Sequence, residues 1–377
     1  MHRAPGEGLS FFRRRSSAFI CGFVLLFGTA VFGSQQAPPP EAIALVSRAR
    51  EAEARADWQS AEMLYRKAIE VFPRWPEALV NLGVVYNRQG KTDEAVTAFA
   101  RAAQIRPQMT AALLNLADTC FRASRYEQAL DPARRVIGLE PANVQARQLL
   151  ALSLIALERF EEAVPELEHV RAANRTDAGV LLALGQSYIR LKQFEKAIER
   201  LSELARVQPD SAKVRLLLGE ALDNSSEPER ATSELRRAVE MDPRLPEAHY
   251  ALGLALLRKG DMQEAAVAFE QELKLNPGFT LASYHLGKIY LDIGRTDEAV
   301  KLLESVTEVA PEFRPALESL GQALLKKGDT AKAVEALERA VKIEPNLSDT
   351  RYLLGRAYMA AGRREDARRE FDAAQRL

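Results

Sequence analysis

From Ala42 the sequence repeats every 34 residues without insertion or deletion, with starts at 42, 76, 110, 144, 178, 212, 246, 280, 314 and 348. The twentieth position is alanine in all ten units, from Ala61 and Ala95 to Ala367. The seventh is leucine from the second unit onward, and the eighth is Gly or Ala, as in Gly83, Ala117 and Gly355. The thirty-second is proline in eight of the nine units long enough to have it, Pro73 first and Pro345 last. A fixed period of this size marks supersecondary units that cannot bury a core alone and do so by stacking.

The columns say what each unit is. Leu79, Leu82 and Tyr86, then Ala95, Phe99 and Ala102, fall at helical spacing and predict two amphipathic helices per unit. Small residues at positions eight and twenty remove bulk where two helix backbones must approach, and larger ones such as Phe99, Phe269 and Phe371 fill the neighbouring space. Gly90, Gly260, Gly294, Gly328 and Gly362 stand between the helices, where a left-handed cap needs no Cβ. The closing proline lacks an N–H and ends the second helix. No run alternates with period two, so the expected class is all-α, about ten helix-turn-helix repeats over 42–377.

This pattern resembles the tetratricopeptide repeat family over residues 42–377. The resemblance implies a right-handed superhelical solenoid whose first helices line a concave groove. Three departures stand out. The first repeat has Arg48 and Ala49 where Leu-Gly is usual, which suits an N-terminal cap, and Arg175 replaces the fourth closing proline. The tenth stops at Leu377, leaving Phe371 and Leu377 to be covered, for which a homodimer through the C-terminal repeat is one solution. Pro132 and Pro165 fall mid-way along second helices, where a lost hydrogen bond predicts a local kink.

Composition narrows the function. The chain carries 52 Lys+Arg against 52 Asp+Glu, but residues 1–40 hold four basic residues and one acidic, leaving the remainder at 48 against 51. A mildly acidic body lacks the clustered cations that nucleic acid requires. Two cysteines cannot build a disulfide scaffold. Residues 13–15 are all arginine and precede an uncharged apolar run from Ala18 to Phe32. Fifteen residues span about 22 Å as a helix, short of a hydrocarbon core of about 30 Å. The segment 1–33 therefore reads as a signal peptide or N-terminal membrane anchor, followed by a Pro-rich linker at 34–41. The repeats are expected outside the cytoplasm, exported or anchored, with the membrane reached only through the N-terminal segment if it stays uncleaved.

No catalytic constellation is legible. Gly83 to Thr92 has six residues between its glycines where a phosphate loop needs four. There is no His-Glu-x-x-His helix and no Gly-x-Ser-x-Gly elbow. His249 and His285 lie on neighbouring first helices without a third ligand, and Cys120 takes a core position occupied elsewhere by Tyr86 or Tyr188. The expectation is no enzyme, no metal and no cofactor.

The resemblance places positions two, five, nine, twelve and thirteen of the first helix in the groove. On that basis the candidate partner-binding residues are Phe121, Asp118, Gln186, Glu220, Tyr250, Leu254, Leu257, Arg258, Tyr284, Lys288, Tyr352 and Arg356. A face this rich in Leu, Ile and Tyr points to a protein or peptide ligand, unless neighbouring repeats consume the apolar residues. Asp118, Glu220 and Asp223 make one half acidic, and Arg258, Lys288 and Arg356 make the other basic, which would orient a ligand. A scaffold for envelope polysaccharide export is the alternative, though the amides expected of a sugar groove are few.

Overall fold

The computed structural model describes residues 37–377; the expectations for 1–33 and for the start of the 34–41 linker lie outside the described residues. Among the described residues there are twenty α-helices and no strand. They belong to two compact units, which divide between Val207 and Gln208. The first holds α1 (Pro40–Ala54), α2 (Trp58–Val71), α3 (Pro76–Arg88), α4 (Thr92–Ile105), α5 (Thr110–Arg122), α6 (Tyr126–Leu139), α7 (Val144–Ala156), α8 (Phe160–Ala173), α9 (Ala178–Arg190) and α10 (Phe194–Val207). The second holds α11 (Ala212–Asn224), α12 (Pro228–Met241), α13 (Ala248–Lys259), α14 (Met262–Leu275), α15 (Thr280–Asp292), α16 (Thr296–Val309), α17 (Arg314–Lys327), α18 (Thr330–Ile343), α19 (Ser348–Ala360) and α20 (Arg364–Arg376).

Within a repeat the two helices meet through the small column at position eight. A Cβ built on Gly83 or Gly253 would lie 2.6 Å from the Phe99 or Phe269 ring, and one on Gly321 2.5 Å from Leu337. The missing methyl is therefore what admits the large side chain, whose full burial contributes about 1.5–3 kcal/mol. The alanines of position twenty are all fully buried.

The turn between the helices is left-handed in every repeat. Glycine supplies it at Gly90 (φ 75°) and Gly260 (φ 93°), but Ala56, Ser124, Glu158, Lys192 and Ser226 adopt it too, with φ between 56° and 62°. The stacked helix pair imposes that conformation whether or not the residue favours it.

Pro132 and Pro165 sit inside helices that run unbroken through them, α6 and α8. Where Arg175 replaces the closing proline, the Asn174 side-chain oxygen accepts from the Thr176 N–H and makes the turn instead. Several first helices start by one of two devices. Asn143, Asp177 and Ser211 cap α7, α9 and α11 with side-chain oxygens, whereas Met109 and Phe279 stand in the same place and are buried as packing.

Each unit has an inner row. First helices touch the first helices of the next repeat, α3 with α5 and α5 with α7 in one unit, α15 with α17 and α17 with α19 in the other. Second helices chiefly touch the first helices on either side.

Candidate ligand-binding face

Successive repeats are tied by polar struts that the sequence analysis did not identify. The Tyr188, Tyr290 and Tyr358 hydroxyls donate to Glu168, Glu270 and Glu338, each twenty residues back on the preceding second helix, at 3.0, 2.6 and 2.6 Å. Burial, and then the facing glutamate, push these phenols up to about 12. Guanidinium groups cover two of the rings, Arg295 at 3.8 Å from the Tyr290 centroid and Arg363 at 4.2 Å from that of Tyr358. Cys120 holds the same position in repeat three, buried, with its thiol pushed up by that burial. The carbonyl of the closing proline is used as well: Arg147, Arg351 and Arg101 donate to Pro141, Pro345 and Pro73. The signal for all of these was column co-occurrence at fixed offsets.

The inner row of the first unit mixes sealed residues with half-buried ones such as Val84, Gln148, Leu182 and Ile189. Val80, Leu114 and Leu152 are buried by neighbouring repeats, and Phe121 is 2% exposed with its ring 5.7 Å from Tyr126. Phe121 therefore cannot meet a ligand directly. Asp118 is half-buried beside Arg122, 3.9 Å away, and burial raises its pKa. Gln186 is also half-buried.

In the second unit the row opens progressively. Glu220 is half-buried near its start. Arg258, itself half exposed, pairs with the buried Asp223 carboxylate and donates to the Asp223 carbonyl at 2.9 Å. The two charges expected to polarise a ligand from opposite ends thus neutralise each other. Burial still raises the Asp223 pKa, and its Oδ1 has no hydrogen-bond partner. Lys326 repeats the strut, donating to the Leu291 carbonyl at 2.9 Å.

Tyr250, Leu254 and Leu257 are half-buried on α13, and Tyr284 is half-buried on α15. Their aromatic rings belong to one cluster. Tyr250 lies 4.9 Å from Phe279 and 5.8 Å from Phe269, His285 stacks on Phe269 at 5.5 Å, and Tyr284 meets Phe313 at 5.0 Å. Burial, and then Lys288, lower His285 to about 4, so its ring is neutral near pH 7 and packs as an aromatic. His249 spends its Nε2 on the Pro243 carbonyl at 3.1 Å. Lys288 is exposed over the Tyr284 ring, 5.8 Å from its centroid, and Arg356 is exposed; neither has an acidic partner among the described residues. Tyr352 is 54% exposed, its ring 5.5 Å from Phe371, with Met359 nearly as open two turns on. The structure thus brings Tyr250 and Tyr284 together around His285 and leaves Lys288, Tyr352 and Arg356 available to solvent. Among the described residues no helix is long and apolar enough to cross a membrane, and no group of three or more ligating side chains could hold a metal.

The chain belongs to the tetratricopeptide repeat family. One tetratricopeptide model matches residues 154–221, 256–323 and 324–376, half of the chain, and two others match 76–139 and 222–278. A model described as anaphase-promoting complex, cyclosome, subunit 3 matches 112–170. Among solved structures it is similar to MamA from Desulfovibrio magneticus RS-1, 29% identical over 44% of this chain and 94% of that one, with a TM-score of 0.42. It is similar to a tetratricopeptide repeat protein from Parabacteroides merdae, 17% identical over 67% and 100%, TM-score 0.44. It is also similar to a chain of the Cut9–Hcn1 complex, 16% identical over 92% and 75%, TM-score 0.46. No curated protein matches the chain. Folds of this family serve as protein-interaction scaffolds.

Proposed function

We propose that this protein is a non-catalytic scaffold that holds a peptide or protein segment on the inner row of its second unit. The observation that carries the reading is the exposed Tyr352 and the half-buried Tyr250 and Tyr284 beside the unpaired cations Lys288 and Arg356. Tyrosine gives a large, rigid contact with a hydroxyl, and a cation without an internal partner favours acidic residues in what it binds. Leu254 and Leu257 add apolar area to the same helix. The basic character now rests on Lys288 and Arg356 alone, because Arg258 is engaged by Asp223. Export or membrane tethering, suggested by the Arg13–Phe32 segment, is part of the proposal, as is self-association through the exposed Tyr352, Met359 and Leu377.

The test is cross-linked affinity purification with mass spectrometry, comparing the full chain with a Tyr250, Tyr284 and Tyr352→Ala variant after both are shown to fold. Partners lost from the variant support the binding face, and an unchanged partner list sinks it. Cell fractionation with N-terminal sequencing decides the export, and sedimentation decides the self-association.

A further inference from the structure

Repeat seven breaks a rule that the other nine keep. Position 27 holds alanine, valine or leucine everywhere else, for instance Ala68, Val136 and Ala340, but Glu272 here. That carboxylate is only 3% exposed. The helix beside it is irregular as well. From the second repeat on, the other first helices begin at the first position of their repeat, whereas α13 begins two residues late at Ala248. Glu247, just before it, is left-handed with φ 63°. Every other non-glycine residue with positive φ among the described residues sits in the turn between the two helices of a repeat. Proline is not the cause, because Pro76 occupies the place of Pro246 in repeat two and starts a regular helix.

The hydrogen bonds account for the difference. In a helix beginning at Pro246, the Tyr250 N–H would donate to the Pro246 carbonyl. It donates instead to Glu272 Oε2, at 3.3 Å, and the Glu247 backbone faces the same carboxylate. The Ala248 N–H bond to the Leu245 carbonyl, 3.2 Å, is not part of the difference, since Ala112 bonds Met109 and Ala316 bonds Phe313 in the same way. A carboxylate buried in an apolar column must find donors, and the first turn of a helix is where free N–H groups and a favourable dipole are found.

We infer that Glu272 is a positioning residue for the binding face: by engaging the backbone at the start of α13 it keeps that helix from winding back to residue 246 and so sets where Tyr250 stands. The functional half of this rests on the proposed binding face, and the structural half does not. Besides Glu272, the charged or titratable groups facing this spot are Glu247 just before α13, His249 and Tyr250 on α13, and His285 with Lys288 on α15. Burial raises the Glu272 pKa, so the folded protein favours its protonated form more than the unfolded chain does.

A sign reversal tests the inference on the full chain. In the wild-type background Glu247→Gly relieves a left-handed residue and raises the melting temperature by about 2 °C. In a Glu272→Ala background, which reproduces the residue of Ala68 and Ala340, α13 winds to Pro246 and residue 247 becomes helical. There Glu247→Gly lowers the melting temperature by a similar amount. Glu272→Gln retains an acceptor oxygen and restores the wild-type sign. The same sign in all three backgrounds overturns the inference. Because these measurements involve no ligand, a reversal alongside unchanged capture by the tyrosine variant would keep Glu272 and remove the binding face.

Discussion

The two units share one template but open its inner columns to different degrees. In the first, position five holds Val80 and Leu114 and position twelve holds Phe121, all sealed between repeats. In the second, position five starts with the buried Leu216 but continues with Tyr250, Tyr284, Glu318 and Tyr352, and position nine ends in Lys288, Gln322 and Arg356, which face solvent. An apolar column in a solenoid is therefore ambiguous. Val80, Leu114 and Leu216 are sealed there, whereas Tyr250 and Tyr284 stay half-buried and Tyr352 is exposed.

The largest expected break in the comparison comes from truncating one residue on each side. Phe121→Ala should cost about 3–5 kcal/mol of stability in chemical denaturation, because it opens a cavity in the first unit. Tyr352→Ala should cost less than about 1 kcal/mol and act on ligand capture instead. Equal losses would show that the last repeat is as much core as the third.

Arg258→Ala sharpens the comparison by exposing how the second unit handles its buried charge. It leaves Asp223 unpaired and should cost about 1–2 kcal/mol near neutral pH, below the usual penalty for a broken buried pair because Arg258 is itself half exposed. The deficit should shrink on acidification, as the Asp223 carboxyl, already raised by burial, takes a proton and no longer needs the guanidinium. A pH-independent deficit would contradict this assignment.

His285 gives the aromatic cluster its own pH signature. Its folded pKa is lowered to about 4 from an ordinary 6.5, so its contribution is present above 6.5 and is lost as pH falls toward 4. Denaturation of His285→Phe across that window should lack this part of the slope; an unchanged slope would place the cluster in water.

The smallest effects lie in the inter-helix turns, which the two units fill differently. Lys192→Gly should stabilise by about 0.5–1 kcal/mol, and Gly260→Ala should destabilise by about 1 kcal/mol, since both residues are left-handed. A destabilised Lys192→Gly would mean that its side chain contributes more than the strain it carries.

Much of this was readable in advance. The helix pairs, the close approach at Gly83 and Gly253, and the left-handed turn at Gly90 were legible because each follows from a column that recurs at a fixed offset. The same turn at Lys192 was not, since nothing local to lysine favours positive φ. Phe121 was read as a ligand contact because the helical position is right for it; what removes it is burial against a neighbour, Tyr126, while Arg258 stays half exposed but pairs with Asp223. Glu272 could have been found as the one charged residue in an apolar column.

By itself the sequence determined the repeating unit, its length, its two helices and the column that brings them into contact, because these depend on residues close together in the chain and restated ten times. Only the tertiary structure decided which inner-face residues stay accessible, which cations are already spent and where α13 begins. Those outcomes depend on what an adjacent helix places over each side chain, and burial and charge pairing belong to that neighbourhood rather than to the residue.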